Sequence, residues 1–594
     1  MAEYSPMMQK YLETKEQYRD CILFYRLGDF YEMFFDDAVN VSRELELTLT
    51  GKDCGQAERA PMCGVPFHAA DTYINRLVEK GYKVAICEQV EDPKQAKGLV
   101  KREVIKVVTP GTNFNSGALN EDRNNYLMCI AYMGRSIGLA VTDVTTGEFM
   151  VSELSSGREL LDEINKFAPS EIICNESFDI SGIDLTEIRN RLSISMSSLD
   201  SWYFDDDGAK RILKDHFKVS SLDGLGLTDY PTGIIASGAL MNYLYETQKN
   251  SLPHITRITP YSTGRYMIID SFTRRNLELV ETMREKNKKG SLLWVLDKTK
   301  TAMGARLLRN IIEQPLITVE DIRKRQQAVK ELIDNYITRE EIREYLNPVY
   351  DLERIIGRIS TKSAGPRELI AFRGSLEMLP SIKKELASLK SEKMQELYKE
   401  LDTLDDIYDL INRSIVDEPP LQIKDGGIIK DGFNEEVDKL RSAKTDGKNW
   451  LAQLEASERE RTGIKTLRIK YNKVFGYYFE VTNSFKDMVP DDYIRKQTLT
   501  NAERYTMPKL KELEDIILGA EDKLFALEYD IFAEIRNRIA SQVVRIQNSA
   551  RAIAGIDVFA SLALVAQQNN YVCPSINKKG IINITGGRHP VVEK

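Results

Sequence analysis

The chain has 594 residues, of which 42% are hydrophobic and 29% charged, with a formal net charge of -8. This length exceeds what one hydrophobic core supports and predicts several domains, and the composition excludes a disordered or fibrous protein. A polar N-terminal segment, and the lack of any run of about 18 apolar residues, argue against a secretory signal and a membrane span. We therefore expect a cytoplasmic protein.

Cysteine and histidine are too scattered to suggest a metal centre. The seven cysteines form no Cys-x-x-Cys pair, and the four histidines lie far apart in the sequence. This pattern predicts reduced thiols, no disulfide and no zinc site. The acidic net charge argues only weakly against nucleic-acid binding, since it says nothing about local basic patches.

Two mixed α/β units come first. Residues 1–112 alternate strand-like runs such as CILFY and YKVAICEQV with the amphipathic segments FFDDAVNVSRELEL and AADTYINRLVEKG, a pattern typical of α/β domains. In residues 113–258, IGLAVTDVTTGEFMVSEL predicts two strands joined at a Thr-Thr-Gly turn, followed by a helix at ELLDEINKF and a strand at EIIC.

The remainder is mostly helical. Residues 259–432 show helical periodicity, whereas TLRIKYNKVFGYYFEVT alternates with period 2 and predicts a half-buried hairpin with Leu467, Ile469 and Tyr471 on its inner face. A helix is expected from about residue 507 through VVRIQ, roughly 40 residues or about 60 Å long. The sequence thus predicts a β insert on long helical arms, and a new α/β unit from residue 556.

The segment GDFYEMFFDD places four aromatic residues among four carboxylates. In one interpretation Phe30, Met33 and Phe34 are core residues and Asp29 caps a helix. In the other, the turn at Gly28-Asp29 pushes one aromatic side chain outward, where it wedges between base pairs from the minor groove. The residues alone leave both interpretations open.

Several long segments together resemble the MutS family of bacterial DNA mismatch repair proteins. They occur in the family's order and span the chain: FYRLGDFYEMFFDDA, PMCGVPFHAADTYINRLVEKGYKVAICEQ, VVTPGT, LDKTKTAMGARLL, FGYYFEVT, YIRKQTLTNAERY and GGRHPVVE. The resemblance implies a multidomain α/β plus all-α protein. Its expected parts are a mismatch-binding domain (1–112), a ribonuclease H-like connector (113–258), core and lever helices (259–432), a β clamp (433–505), returning lever helices (506–555) and the start of an ATPase domain (556–594).

The resemblance also implies roles for two residues of the acidic aromatic segment. Phe30 would stack on one base of a mismatch from the minor groove, and Glu32 would hydrogen-bond the same base. A weakly paired base costs least to unstack, so such a wedge selects for weak pairing rather than for a sequence. Glu32 would be repelled by intact duplex and tolerated where a distorted base offers a hydrogen bond.

Basic residues are the candidates for contacts with the DNA backbone. Five lie between Lys94 and Lys106 against one acid, so we single out Lys97 and Arg102, with Arg26 and Lys52 as further candidates in the same domain. In the clamp we expect contacts at two turns. The candidates there are Asn472, Lys473, Arg495, Lys496, Gln497, Asn501 and Arg504.

Asp143 supports a competing hypothesis. An acid on a strand followed by Thr-Thr-Gly resembles the first carboxylate of ribonuclease H-like nucleases, which hold two metal ions with clustered acids. Glu171 and Asp184 are the only loose candidates for further ligands. A third hypothesis is a scaffold whose helical arms bind protein partners without recognising mismatches.

The full-length family binds ATP and Mg²⁺ through a P-loop. No Gly-x4-Gly-Lys-Ser/Thr occurs here, since Gly51-Lys52 precedes Asp53 and Gly447-Lys448 precedes Asn449. We therefore expect no cofactor and no enzyme activity from these residues by themselves. Mismatched duplex DNA is the expected partner. For the full-length family the resemblance implies a homodimer, downstream repair proteins and a bacterial, nucleoid-associated location.

Overall fold

The computed structural model describes residues 4–91, 100–115, 119–262, 264, 266–472 and 474–594. The chain forms two compact units: residues 1–363, 375–404 and 542–594 make the first, and residues 364–374 and 405–541 make the second. Each unit is described separately. Together they contain the mixed α/β and helical parts that the sequence predicts.

The first α/β domain is built on a six-stranded sheet. Its strands are β1 (Cys21–Leu27), β2 (Phe30–Phe34), β3 (Thr50–Lys52), β4 (Ala60–Pro66), β5 (Lys83–Gln89) and β6 (Arg102–Val108), and its helices are α1 (Pro6–Gln17), α2 (Phe35–Leu45) and α3 (Ala70–Glu79). The order is β3-β4-β2-β1-β5-β6. Strand β1 pairs antiparallel with β2 and parallel with β5, so the β1–β2 hairpin lies in the middle of the sheet.

The second α/β domain has a sheet with strand order β11-β10-β7-β8-β9-β12. The strands are β7 (Leu127–Tyr132), β8 (Ile137–Asp143), β9 (Glu148–Leu154), β10 (Glu171–Asn175), β11 (Ser195–Leu199) and β12 (Thr259–Pro260). The helices are α4 (Gly157–Phe167), α5 (Glu176–Asp179), α6 (Thr186–Leu192), α7 (Asp206–Phe217) and α8 (Pro231–Gln248). The predicted strands around the Thr-Thr-Gly turn and the predicted helix α4 are confirmed.

Helices dominate the next part, as predicted. They are α9 (Ser271–Asn276), α10 (Leu292–Leu296), α11 (Ala302–Glu313), α12 (Val319–Asp334), α13 (Tyr336–Leu346), α14 (Leu352–Ser360), α15 (Pro366–Leu376), α16 (Leu379–Leu386), α17 (Glu392–Glu400) and α18 (Asp405–Ser414).

The β insert lies between two long helices of the second unit. Helix α19 (Glu435–Thr462) leads into β13 (Arg468–Asn472), β14 (Gly476–Thr482), β15 (Ile494–Thr498) and β16 (Ala502–Thr506), and α20 (Pro508–Ala540) follows. The sheet order is β13-β14-β16-β15, antiparallel throughout. Phe479 and Tyr505 pack with Leu454 of α19 and Ile517 of α20. The hairpin is confirmed, but Tyr471 is 49% exposed, so its predicted inward position is wrong.

The single helix expected from residue 507 onward is in fact two. Helix α20 ends at Ala540, and α21 (Val543–Gln568) begins after Ser541 and Gln542, which are neither glycine nor proline. Gly519 lies inside α20, whose 33 residues span about 50 Å. Helix α21 also runs through residue 556, where we expected a new domain to begin.

Helix α21 is the central helix of the first unit and packs against α11, α12, α14 and α17. Its length and hydropathy match those of a membrane-spanning helix, although the sequence contains no uninterrupted apolar run of that length. However, 78% of its most apolar stretch is buried inside the fold, as in a core helix. Residues 569–594 contain neither helix nor strand.

Candidate nucleic-acid interface

A tight hairpin presents the acidic aromatic segment. Strands β1 and β2 are joined by Gly28 and Asp29, with Leu27 paired to Phe30, and Gly28 adopts a φ of +59° that favours glycine. The carbonyl oxygen of Asp29 accepts a hydrogen bond from the Phe67 amide at 3.0 Å. Asp29 therefore belongs to a strand-to-strand turn, and the expectation that it caps a helix is wrong.

The three apolar residues of this hairpin separate into two environments. Met33 is 0% and Phe34 1% exposed, as the core interpretation predicts, whereas Phe30 is 46% exposed. An aromatic side chain that is exposed at the end of a hairpin lacks the hydrophobic stabilisation that it would gain by burial. The turn therefore does direct one aromatic side chain outward, and that residue is Phe30.

Phe30 and Glu32 share one face of β2, because alternate strand residues point the same way. Opposite Glu32 on β4 lies Gly64. A Cβ atom at Gly64 would lie 3.5 Å from Glu32 Cγ and 3.8 Å from Phe30 Cδ1. Both side chains therefore extend over a residue that has no side chain of its own, which leaves room for them to lie together.

Lys52 of β3 forms an ion pair with Glu32. The pair is partly shielded, with 32% of the Lys52 side chain and 16% of the Glu32 side chain exposed. Lys52 was predicted to contact the DNA backbone. In the structure its ammonium group neutralises the Glu32 carboxylate beside Phe30. Glu32 is thus held by one partner that a competing ligand would have to displace.

Arg26 and Arg102 stabilise the β1–β2 hairpin through contacts within the domain. The Arg26 guanidinium donates to the Gly28 carbonyl, lies 3.3 Å from the Glu88 carboxylate and stacks 3.9 Å above the Phe67 ring. Arg102 donates to the carbonyl oxygens of Arg26 at 2.7 Å and Val100 at 2.9 Å. Arg26 and Arg102 were both predicted to contact the DNA backbone, and both already use several of their hydrogen-bond donors within the domain. Lys97, with Lys94, lies outside the described residues.

One turn of the clamp sheet carries Asn472. Its side-chain oxygen accepts a hydrogen bond from the Val474 amide at 2.7 Å, an arrangement that stabilises the turn. Val474 is 80% exposed. Lys473, predicted to bind DNA from the same turn, lies outside the described residues.

The other predicted contacts lie on β15, on β16 and in the turn between them. Lys496 and Asn501 are exposed, and Arg495, whose side chain is 59% exposed, lies 3.7 Å from Glu503. Arg504 instead donates to Gln497 at 2.7 Å and covers the Tyr478 ring at 4.5 Å. The sheet thus offers three of these side chains to solvent and uses the other two internally.

Asp143 is fully buried, with its oxygens bound to protein donors. Oδ1 accepts from the Thr145 amide at 2.9 Å and hydroxyl at 2.6 Å, and Oδ2 from the Asn125 amide at 3.1 Å and the Asn124 side chain at 3.0 Å. Glu171 is bound by Tyr243 and Thr109, and Asp184 accepts from the Thr186 amide at 2.8 Å.

The described part of the chain therefore has no group of three acidic, histidine or cysteine residues able to hold a metal ion. The nuclease hypothesis lacks the ligand set it needs.

Neither Gly-Lys pair forms a phosphate loop. Gly51-Lys52 lies on strand β3, and Gly447-Lys448 lies inside helix α19. A P-loop requires a glycine-rich turn between a strand and a helix, whose free amides surround the phosphates. These residues do not fit the phosphates of ATP.

Comparison with known proteins accounts for this arrangement. Profiles of MutS domain I, MutS domain II and MutS domain III match residues 5–116, 125–256 and 272–563. The protein named DNA mismatch repair protein MutS from Acetivibrio thermocellus is 54% identical over 598 residues, covering 100% of this chain and 68% of its own length. The chain belongs to the MutS family.

Other relatives of the same name agree. The protein from Lachnoclostridium phytofermentans is 63% identical over 594 residues, which are 100% of this chain and 64% of that protein. The protein from Clostridium tetani is 51% identical over 593 residues, or 99% and 66% of the two chains. The chain thus spans about two thirds of the length of these MutS relatives.

Proposed function

We propose that this chain recognises mismatched or unpaired bases in duplex DNA, as the first step of mismatch repair. The observation that carries the proposal is Phe30, half-exposed at the end of a braced hairpin. An apolar side chain in this position suits insertion between base pairs from the minor groove, where it partly unstacks them and kinks the duplex. Because flawed pairs are the easiest to unstack, the kink favours them.

Glu32 and Lys52 supply the discrimination in this proposal. Glu32 lies on the same strand face as Phe30 and presents a carboxylate where phosphates approach. Lys52 partly neutralises it in the free protein. On a flawed duplex the displaced base offers Glu32 a hydrogen bond, whereas on a matched duplex the carboxylate is only repelled. Lys52 is then free to pair with a phosphate.

Backbone contacts come, in this proposal, from the exposed side chains of the clamp sheet. Arg495, Lys496 and Asn501 are the leading candidates, with Asn472 and Lys473 at the other turn. Such contacts position the duplex without reading its sequence. Arg26 and Arg102 act mainly by fixing the hairpin, because their guanidinium groups already bind within the domain.

The deciding experiment compares two short duplexes that differ only by one G·T mismatch or one unpaired T. Without nucleotide and at moderate salt, we expect tighter binding to the flawed duplex, and Phe30→Ala should remove most of that preference. Phe272→Ala is the matched control, because Phe272 is 71% exposed and lies on another domain. Full discrimination by Phe30→Ala would refute the wedge assignment.

Salt dependence tests the scaffold alternative. Phosphate contacts release counterions, so affinity for DNA should fall steeply as salt rises. A scaffold that binds only proteins would show no such DNA binding. Long helical arms alone do not favour the scaffold, since the family membership and the exposed Phe30 both support mismatch recognition.

This proposal assigns the binding of ATP and Mg²⁺, homodimerisation and contacts with downstream repair proteins to the longer family members only. A homodimer would add a second clamp. Once one clamp has bound the duplex, the other would bind it at a high effective concentration, so two weak interactions would combine into tighter binding. A cytoplasmic, nucleoid-associated location follows from the same proposal.

A further inference from the structure

A strongly basic cavity of about 420 Å³ lies in the first unit. Its walls come from the segment before β7, the loop after α4, the end of α6, helix α9, residues 280–286 and the end of α11. Seven lining residues are Lys or Arg and two are Glu, a formal charge of +5 in a chain whose total is -8. Its charge is thus opposite to that of the molecule as a whole.

Arg274 is the buried cation of this cavity. Its side chain is 10% exposed, and its Nη1 lies 3.3 Å from Glu313 Oε1. Among the described residues, Arg274 Nε and Nη1 nevertheless have no hydrogen-bond partner of acceptable geometry. Buried donors in native proteins almost always have a partner, so two on one side chain indicate a place where a ligand accepts hydrogen bonds.

The cations next to Arg274 make the binding of an anion in this cavity more favourable. Arg309 is 16% exposed and shares the Glu313 carboxylate, with Nε 3.8 Å from Oε2. Desolvation lowers the pKa of Arg309, and the nearby charges of Arg123 and Arg274 lower it further. One buried carboxylate thus faces two guanidinium groups, while Arg123 pairs with Glu281 at 3.0 Å. Positive charge remains in excess.

We propose that this cavity binds a small anion carrying several phosphate groups, such as inorganic tripolyphosphate or the triphosphate of a nucleotide. Guanidinium groups match phosphate oxygens in charge and in their paired donors. The volume lies in the range typical of small-molecule sites. Arg275 and Lys286 at the exposed rim would bind the outer phosphates, while Arg274 and Arg309 would bind the inner one. A DNA duplex is too wide for the cavity.

The site is separate from the recognition hairpin and does not depend on the proposed mismatch function. Its charged residues come from three segments of the second α/β domain and from the helical region, none of which includes Phe30 or Glu32. Phe30→Ala should therefore bind polyphosphate like the unaltered chain. The two proposals can fail independently.

The test is calorimetric titration of the 594-residue chain with tripolyphosphate and, separately, with ATP. We expect saturable binding at one site per chain. Arg274→Gln should weaken it at least tenfold. Because Arg274 is buried, its replacement puts the fold at risk, so the exposed double variant Arg275→Gln/Lys286→Gln provides a second measurement, with a similar expected loss. Arg43→Gln, whose side chain is 71% exposed in the first domain, is the charge-matched control.

Equal affinity for the two ligands would identify the phosphates as the recognised group, and tighter binding of ATP would identify a nucleotide. Either result supports the site. The proposal is overturned if no polyphosphate binds saturably, if the cavity variants bind like Arg43→Gln, or if a short DNA duplex displaces the ligand, since the last result would make the cavity part of a DNA-binding surface.

Discussion

The hairpins β1–β2 and β8–β9 each turn at a glycine with positive φ and each carry an acid that the sequence marks as a functional candidate. Glu32 of the first is paired only with Lys52 beside an exposed aromatic. Asp143 of the second is fully buried and accepts four hydrogen bonds. A carboxylate is available to a ligand only where the surrounding donors leave it accessible. The neighbouring donors, rather than the strand motif, separate these two hairpins.

The largest expected effect is on the stability of the second hairpin. Asp143→Ala leaves the Asn125 and Thr145 amides buried without acceptors, so the free energy of unfolding should fall by about 3 kcal/mol. Urea unfolding followed by fluorescence would measure this change. Asp184→Ala is the control, because the exposed Asp184 carboxylate accepts a hydrogen bond from the Thr186 amide at the start of α6, and its loss should cost far less stability. Equal losses for the two variants would contradict the structural role of Asp143.

Phe30→Ala should show the opposite behaviour. Discrimination between flawed and matched duplexes should fall by roughly 1–3 kcal/mol, the contribution of one base–aromatic stack. The unfolding midpoint should hardly move, because an exposed side chain contributes within about 0.5 kcal/mol. The same urea series measures the stability of this variant. A large loss of stability would mean that Phe30 is a packing residue.

Smaller changes should come from the ion pair beside Phe30. Glu32→Gln removes the charge that repels the phosphates and should raise affinity for matched duplex severalfold. Lys52→Met leaves Glu32 unneutralised and should lower that affinity. Fluorescence anisotropy with matched duplex would measure both variants. Shifts in the same direction would contradict the proposed opposition of the two side chains.

A further expected effect is a pH dependence in the second hairpin. Desolvation raises the pKa of Glu148 to about 7 from 4.5, and nearby Asp143 adds to the shift. Between these values the folded protein keeps a proton that the unfolded chain has released. The free energy of unfolding therefore falls as pH rises through this window.

Glu148→Gln should remove that slope. His254 and Asp557, whose pKa values are shifted to about 4 and about 6, titrate in overlapping ranges. The difference between the unaltered chain and Glu148→Gln at each pH therefore isolates this carboxyl. An identical pH profile for both would show that Glu148 does not titrate in this window.

The local features of the fold could be predicted from the sequence. Gly28-Asp29 predicts a turn, and the period-2 pattern at Leu467–Asn472 predicts a strand, because neighbouring residues determine both. The residues alone left open whether Phe30 points inward or outward. The ion pair between Lys52 and Glu32 could not be predicted. Its partners lie 20 residues apart and meet only after β3, β4 and β2 have paired.

Two other features could not be predicted from the sequence: the break between α20 and α21, and the basic cavity. Ser541 and Gln542 carry no helix-breaking signal, so packing rather than propensity ends α20 there. The cavity draws its cations from six separate segments between Arg123 and Arg309. In the sequence each is an ordinary surface charge, and only the fold makes them neighbours.

Helix α21 has a consequence for how the protein is made. Chains grow from the N-terminus and domains tend to fold as they emerge, so residues 1–115 have their whole sheet available early. Helices α11, α12, α14 and α17 are synthesised long before Val543–Gln568, the helix against which they pack. Until that last segment leaves the ribosome, their apolar faces stay without a partner, and the nascent chain is most exposed to aggregation and proteolysis during this interval.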